Sequence, residues 1–246
     1  MNPYPSLCDD FSISMYVNSS LQLPNHRETV LHYFESIQRA FPKLRCFHSR
    51  ENGEFILETD KQEENPRWAV LEPHRIGSGY VNPTSPEDAD SHHLRILDLS
   101  PYHLGITSLD CESLDVAYVF DIPCRAHHDE VVAEALGLHS PLEPMFSIPG
   151  ARVAKYEPVL MICLNEEQQL HCRLRIETRT NLSSSGNNSS EDQLSVYFTV
   201  RRYWRGQPVS EFLDSYRHQR ELCQELVDQH VIPAILQPLA QVIATK

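Results

Sequence analysis

Two short runs near the C-terminus constrain the fold most. Leu170, Cys172, Leu174 and Ile176 alternate with His171, Arg173 and Arg175, and Leu194, Val196, Phe198 and Val200 alternate with Ser195, Tyr197 and Thr199. A period of two marks a strand with one buried face. Between the runs, residues 181–190 read Asn-Leu-Ser-Ser-Ser-Gly-Asn-Asn-Ser-Ser. That stretch has too little apolar surface to offset its own ordering entropy, so it reads as the mobile tip of an antiparallel hairpin. A one-residue slip would turn every side chain to the opposite face. Keeping both apolar sets together sets Leu174 opposite Phe198 and Cys172 opposite Val200.

The outward side of this hairpin then carries His171, Arg173, Arg175, Glu177 and Arg179 beside Ser195, Tyr197, Thr199, Arg201 and Tyr203. Residues 171–205 hold six Arg against three Asp or Glu, within a chain of formal net charge −13. Charge is segregated here. Guanidinium groups interleaved with tyrosines suit a phosphate, a carboxylate or an acidic protein surface. Two plainer readings compete: an ordinary solvated sheet face in which Glu177 pairs with a neighbouring arginine, and a face neutralised by acids of the first half of the chain or of another subunit. The candidate ligand or partner residues are Arg173, Arg175, Arg179, Tyr197, Arg201 and Tyr203.

The remaining elements follow from pattern and punctuation. Residues 11–17 alternate as a half-buried strand. A helix then spans 25–41, with Asn25 as cap, Glu28 completing a capping box, and Val30, Leu31, Phe34, Ile37 and Phe41 on one face. Short strands are expected at 44–48 and 54–59 around Glu51-Asn52-Gly53, and one or two broken strands over 67–82. Ser85-Pro86-Glu87-Asp88 starts a helix that buries Ala89, His93, Ile96 and Leu97 as far as Leu99. Residues 114–122 suit a central strand covered on both faces. A short helix at 127–136 closes at Gly137, and a third strand is expected at 158–164. A long helix capped by Ser210 carries Phe212, Leu213, Tyr216, Cys223, Leu226, Val227 and Val231, and Pro233 predicts a break near 231–233.

These elements predict an α+β fold, mainly antiparallel, with helices on one sheet face and two halves of similar architecture. The halves are 1–140 and 158–246, joined by a proline-rich connection at 141–157 or fused into one domain.

Composition sets limits on function. With 34 Asp and Glu against 21 Lys and Arg, most of the surface repels a polyanion, so nucleic acid is not an expected partner. No run of about 18 apolar residues is present to span a bilayer, and the start resembles no secretory signal, which predicts a cytoplasmic protein. Seven cysteines without a CxxC pair read as reduced thiols rather than a disulfide framework.

Catalytic and metal signals are thin. Cys46 and His48, two apart on a strand, share a face but lack a surrounding signature. His127 and Glu130 have the i, i+3 spacing of carboxylate-bridged metal helices without a second matching pair, and a polar first helical turn explains them. Of the adjacent His92 and His93, one is expected to face away from the core. Gly77-Ser78-Gly79 is too short for a dinucleotide loop, and no Walker motif exists. The sequence therefore predicts no cofactor and no metal. The leading function is a non-enzymatic binding or interaction protein that presents the Arg/Tyr face to an anionic ligand or acidic protein. The rivals are a small hydrolase or transferase working through Cys46, His48 or the His127–His128 region, and a structural subunit of a homo-oligomer.

Overall fold

A computed structural model describes residues 2–60, 62–137, 141, 143–178, 193–204, 208 and 211–246. Arg179, the polar tip at 181–190 and the expected cap Ser210 lie outside the described residues.

The chain runs through β1 (Asp10–Ser19), α1 (Arg27–Ala40), a meander of β2 (Leu44–Ser49), β3 (Phe55–Thr59), β4 (Arg67–Glu72) and β5 (Arg75–Val81), then α2 (Pro86–Leu104). It repeats the plan with β6 (Cys111–Pro123), α3 (His128–Gly137), a single helical turn α4 (Glu143–Phe146), a meander of β7 (Val159–Cys163), β8 (Leu170–Glu177) and β9 (Gln193–Tyr203), and a C-terminal helix that begins with α5 (Phe212–Leu226). All nine strands form one antiparallel sheet in the order β2-β3-β4-β5-β1-β6-β9-β8-β7. Each opening strand pairs with the last strand of its own meander, β1 with β5 and β6 with β9, and the two opening strands pair with each other at the centre. These two units, β1 to α2 and β6 to the C-terminal helix, are alike in plan and continuous in hydrogen bonding.

Side-chain alternation decides which face is covered. Phe11, Ile13, Met15 and Val17 of β1, Leu114, Val116, Tyr118 and Phe120 of β6, and Leu194, Val196, Phe198 and Val200 of β9 all point to one side and are buried. The helices lie there, with α2 against β5 and β1 and α5 against β6 and β9. The hairpin register is the expected one, Leu174 opposite Phe198 and Cys172 opposite Val200. β6, at the middle of the sheet, is buried over most of its length, under the helices on one face and among neighbouring side chains on the open one. Between α2 and α5, Arg220 lies within salt-bridge distance of both Glu87 (3.1 Å) and Asp90 (3.3 Å), and Tyr216 Oη donates to Asp90 (3.0 Å). No helix among the described residues is long and apolar enough to cross a membrane.

Several local expectations change. The first helix is preceded by His26 with no side-chain cap, so Asn25 does not hold its N-terminus. Ser85 does occupy the N-cap of α2, but its hydroxyl makes no cap hydrogen bond. That helix continues through Pro101 to a left-handed Gly105 at φ 67°. Its added length comes from packing against α1 and α5, which a local reading cannot weigh. His92 and His93 are both buried, because α2 is enclosed on two sides: Phe41 packs edge-on against His92, and Tyr216 of α5 lies 5.5 Å from His93. Pro233 does not break the last helix. The segment Val227–Leu236 widens into a π-helix and leads directly into α6 (Gln237–Ala244). The extra residue per turn absorbs the clash and the missing amide that would end an α-helix.

Candidate functional site

With the helices on one side, the other sheet face is open, and its chemistry is set by every second residue of each strand. On β8 these are His171, Arg173, Arg175 and Glu177; on β9, Ser195, Tyr197, Thr199, Arg201 and Tyr203. A basin of about 260 Å³ on this face is lined by Tyr16 of β1, Arg75 of β5, Asp115 of β6, Met161 of β7 and the β8 and β9 residues from His171 to Arg201. Four of the six predicted residues, Arg173, Arg175, Tyr197 and Arg201, meet there. Tyr203 lies at its end, with its ring 5.2 Å from that of His171 and 5.9 Å from the Arg201 guanidinium.

The arginines are not equivalent. Arg201 forms a bidentate pair with Asp115, Nε to Oδ1 at 2.7 Å and NH2 to Oδ2 at 2.6 Å. Hydrogen bonding to that carboxylate holds Arg201 in its charged form more firmly than usual, despite partial burial. Asp115 is 5% exposed and also accepts from Asn18 Nδ2 at 3.1 Å. A buried carboxylate in a central strand needs such partners, and Asp115 in the 114–122 run was the signal for this pair. Arg175 meets Glu177 at 2.7 Å and stacks on Tyr197 at 4.6 Å. On the adjoining strands Arg75 binds Glu72 and lies 4.7 Å from the Tyr16 ring centre. Arg173 is exposed, opposite Thr199 and Met161, and has no acidic partner among the described residues. The face is thus largely neutralised from within, with Asp115 answering Arg201, Glu177 answering Arg175 and Glu72 answering Arg75, which leaves Arg173 without an acidic partner among the described residues.

Gly77 and Gly79 explain how Tyr16 and Trp68 come to lie across this face. A Cβ on Gly77 would meet the Tyr16 ring at 2.8 Å, and one on Gly79 would meet the Trp68 indole at 2.2 Å. The glycines leave room for two rings to lie flat over the sheet.

The rival catalytic groups are dispersed. His48 Nε2 pairs with Glu58 Oε1 at 2.9 Å on the outer strands, and Cys46 is partly exposed rather than buried. His127 Nδ1 accepts from the Glu130 amide at 3.4 Å, as an N-terminal cap does, and the buried His128 binds the Cys124 carbonyl at 2.9 Å. No group of three or more His, Cys, Asp or Glu suited to a metal occurs among the described residues. A second cleft of about 270 Å³, between α1 and β4, has its charges already engaged: Lys43 with Glu63, and Arg67 3.9 Å above the Tyr80 ring. Cysteines 8, 111, 124, 172 and 223 are buried, and burial pushes Cys8 up to about 11 and Cys111 up to about 12.

No family model and no curated protein matches the chain. Among solved structures, the chain is similar to the di-domain ARO/CYC BexL from the BE-7585A biosynthetic pathway at 8% identity, covering 96% of this chain and 99% of that one with a TM-score of 0.22. A TM-score that low carries no argument about fold or function.

Proposed function

We propose that the protein is a non-catalytic binding protein that receives an anionic group, a carboxylate or phosphate of a small ligand or acidic protein, in the basin of the open sheet face. The observation that carries this reading is the exposed Arg173, without an acidic partner among the described residues, in a basin whose other three guanidinium groups are each held by a carboxylate, within a chain of net charge −13. Asp115 and Glu177 orient Arg201 and Arg175 as fixed forks, and Tyr197 supports Arg175 from below. Arg173, without an acidic partner among the described residues, is then the cation that an incoming anion meets first. Oriented guanidinium donors bind oxyanions in the bidentate geometry that a solvated lysine cannot hold. Under the same reading the protein works in a reducing compartment such as the cytoplasm.

Isothermal titration with inorganic phosphate and with a short polyglutamate peptide tests it. The double variant Arg173→Glu, Arg175→Glu should weaken binding more than tenfold, and wild-type binding should fade as salt rises. Arg39→Glu on the exposed side of α1 should leave it unchanged. Equal affinity in all three proteins, or no binding of either probe to the wild type at low salt, overturns the proposal.

A further inference from the structure

The two edges of the sheet are built differently. β2 carries Arg45 and His48, is flanked by Lys43 and Arg50, and its pairing with β3 is interrupted by a bulge between Leu44 and Cys46. Cations and bulges are the usual means of preventing another strand from pairing with an edge. β7 has none of them. Its sequence is Val-Leu-Met-Ile-Cys, every residue is exposed, and Val159, Leu160, Met161 and Ile162 are 55, 54, 61 and 47% accessible. Apolar side chains on both faces of an outermost strand form the kind of continuous patch that marks an interaction site.

The hydrogen-bond phase of β7 is fixed by its neighbour. The Leu164 amide donates to Leu170 O at 2.7 Å, and the Ile176 amide donates to Pro158 O at 3.2 Å. Even-numbered residues of the strand therefore bond to β8. Because the direction alternates along an antiparallel strand, Val159, Met161 and Cys163 turn their N–H and C=O groups outward. Their side chains lie on the open sheet face beside Arg175, Arg173 and His171. Leu160 and Ile162 point to the helix side, where with Leu174, His230 and Ile235 they border an apolar groove of about 390 Å³ that lines up with the edge.

We infer that β7 is the seam of a two-fold dimer, in which it pairs antiparallel with β7 of a second copy and extends the sheet across both molecules. The strand is self-complementary for this use. Centred on Met161, the pairing sets Met161 against Met161, Val159 against Cys163 and Leu160 against Ile162, so all outward backbone groups find partners and no charge is buried. A second copy fits better than an acidic or basic foreign strand, because neither strand nor groove offers a formal charge to match one. β2 cannot substitute for the partner strand, so the contact closes as a dimer instead of propagating as a fibre. Five paired residues fall short of the roughly 800 Å² per partner of a stable interface. The side chains of Leu160 and Ile162 from each copy must therefore also cover the other's groove. The pairing places the two arginine basins on one surface, on either side of a methionine seam, but does not depend on their binding anything.

Sedimentation velocity and light scattering of the full chain at tens of micromolar test this. The wild type should have twice the chain mass of 28.3 kDa. Met161→Lys, which faces two ammonium groups across the axis, and Met161→Pro, which removes an outward N–H that no bond within one copy uses, should each return the mass to that of one chain with unchanged far-UV circular dichroism. Arg173→Glu should leave the mass doubled, which separates this proposal from the anion-binding reading. A monomeric wild type, including one that associates only with some other protein, overturns the inference, as does a dimer that survives both Met161 substitutions.

Discussion

Lowering the pH should destabilise the protein well before its carboxylates titrate, because α2 buries two neutral imidazoles side by side. His92 donates from Nε2 to the Trp68 carbonyl at 3.0 Å, and its Nδ1 has no hydrogen-bond partner among the described residues; His93 shares a 2.7 Å hydrogen bond between Nδ1 and Ser78 Oγ. Protonating either ring places a charge in the core, 0% exposed to water. Burial accordingly lowers His92 from 6.5 to about 4. Burial, reinforced by His92 beside it, also holds His93 well below 6.5. The unfolded chain takes up these protons near pH 6.5 and the folded one does not. Stability is therefore fully present above pH 6.5 and falls as pH decreases toward the folded value.

For His92 the difference of 2.5 units, 6.5 less 4, corresponds to about 3 kcal/mol at about 1.4 kcal/mol per unit. His93 adds a loss in the same direction, and the partly buried His103 adds a smaller one. Against a total stability of about 5–15 kcal/mol, this is enough to unfold the chain in mild acid. Glu87 and Glu157, whose pKa values are lowered, lose their contributions only below the usual carboxylate range, so the window above it belongs to the histidines. Urea unfolding at intervals from pH 7.5 to pH 4.5 should show stability falling by up to about 2.8 kcal/mol per pH unit at its steepest, two protons' worth. His92→Gln keeps an amide donor toward Trp68 and removes one titration, so it should halve that slope. An unchanged slope in the variant, or flat stability in the wild type, would refute the reasoning.

Three further outcomes follow from the packing. Asp115→Ala removes the bidentate partner of Arg201 and should cost about 2 kcal/mol by urea unfolding, less than the about 3–5 of a fully buried pair because the Arg201 side chain is 39% exposed. Gly79→Ala forces the Trp68 indole off the sheet and should destabilise by about 1–3 kcal/mol with a shift in tryptophan emission; an unshifted spectrum would mean the ring does not lie over Gly79. Gln219 Nε2 donates to the Leu114 and Val200 carbonyls at 2.8 and 2.9 Å, bridging β6 and β9 from α5, so Gln219→Leu should lower stability by about 2 kcal/mol, read as an earlier urea midpoint.

The chain's local signals were strong wherever burial had a period. The alternation at 170–176 and 194–200 was enough to set the β8–β9 register, since only one phase buries both apolar sets, and it put Arg173, Arg175, Tyr197 and Arg201 on one face. The turn residues at 51–53 and the apolar stripe of the last helix were equally legible. Cap predictions at Asn25 and the break at Pro233 failed because each weighed one local preference, and packing against neighbouring elements outweighed it.

What the sequence could not determine was which strands become neighbours. The pairing of β1 with β6 joins residues about a hundred positions apart and makes one sheet of two halves, so that Asp115 and Arg75 share a basin with Arg201. The position of β7 at the edge, with its apolar side chains uncovered, is likewise a consequence of strand order alone. Periodicity reports how a residue is shared between core and solvent within its own strand, whereas the choice of neighbours depends on the long-range closure of the whole sheet, which no local pattern encodes.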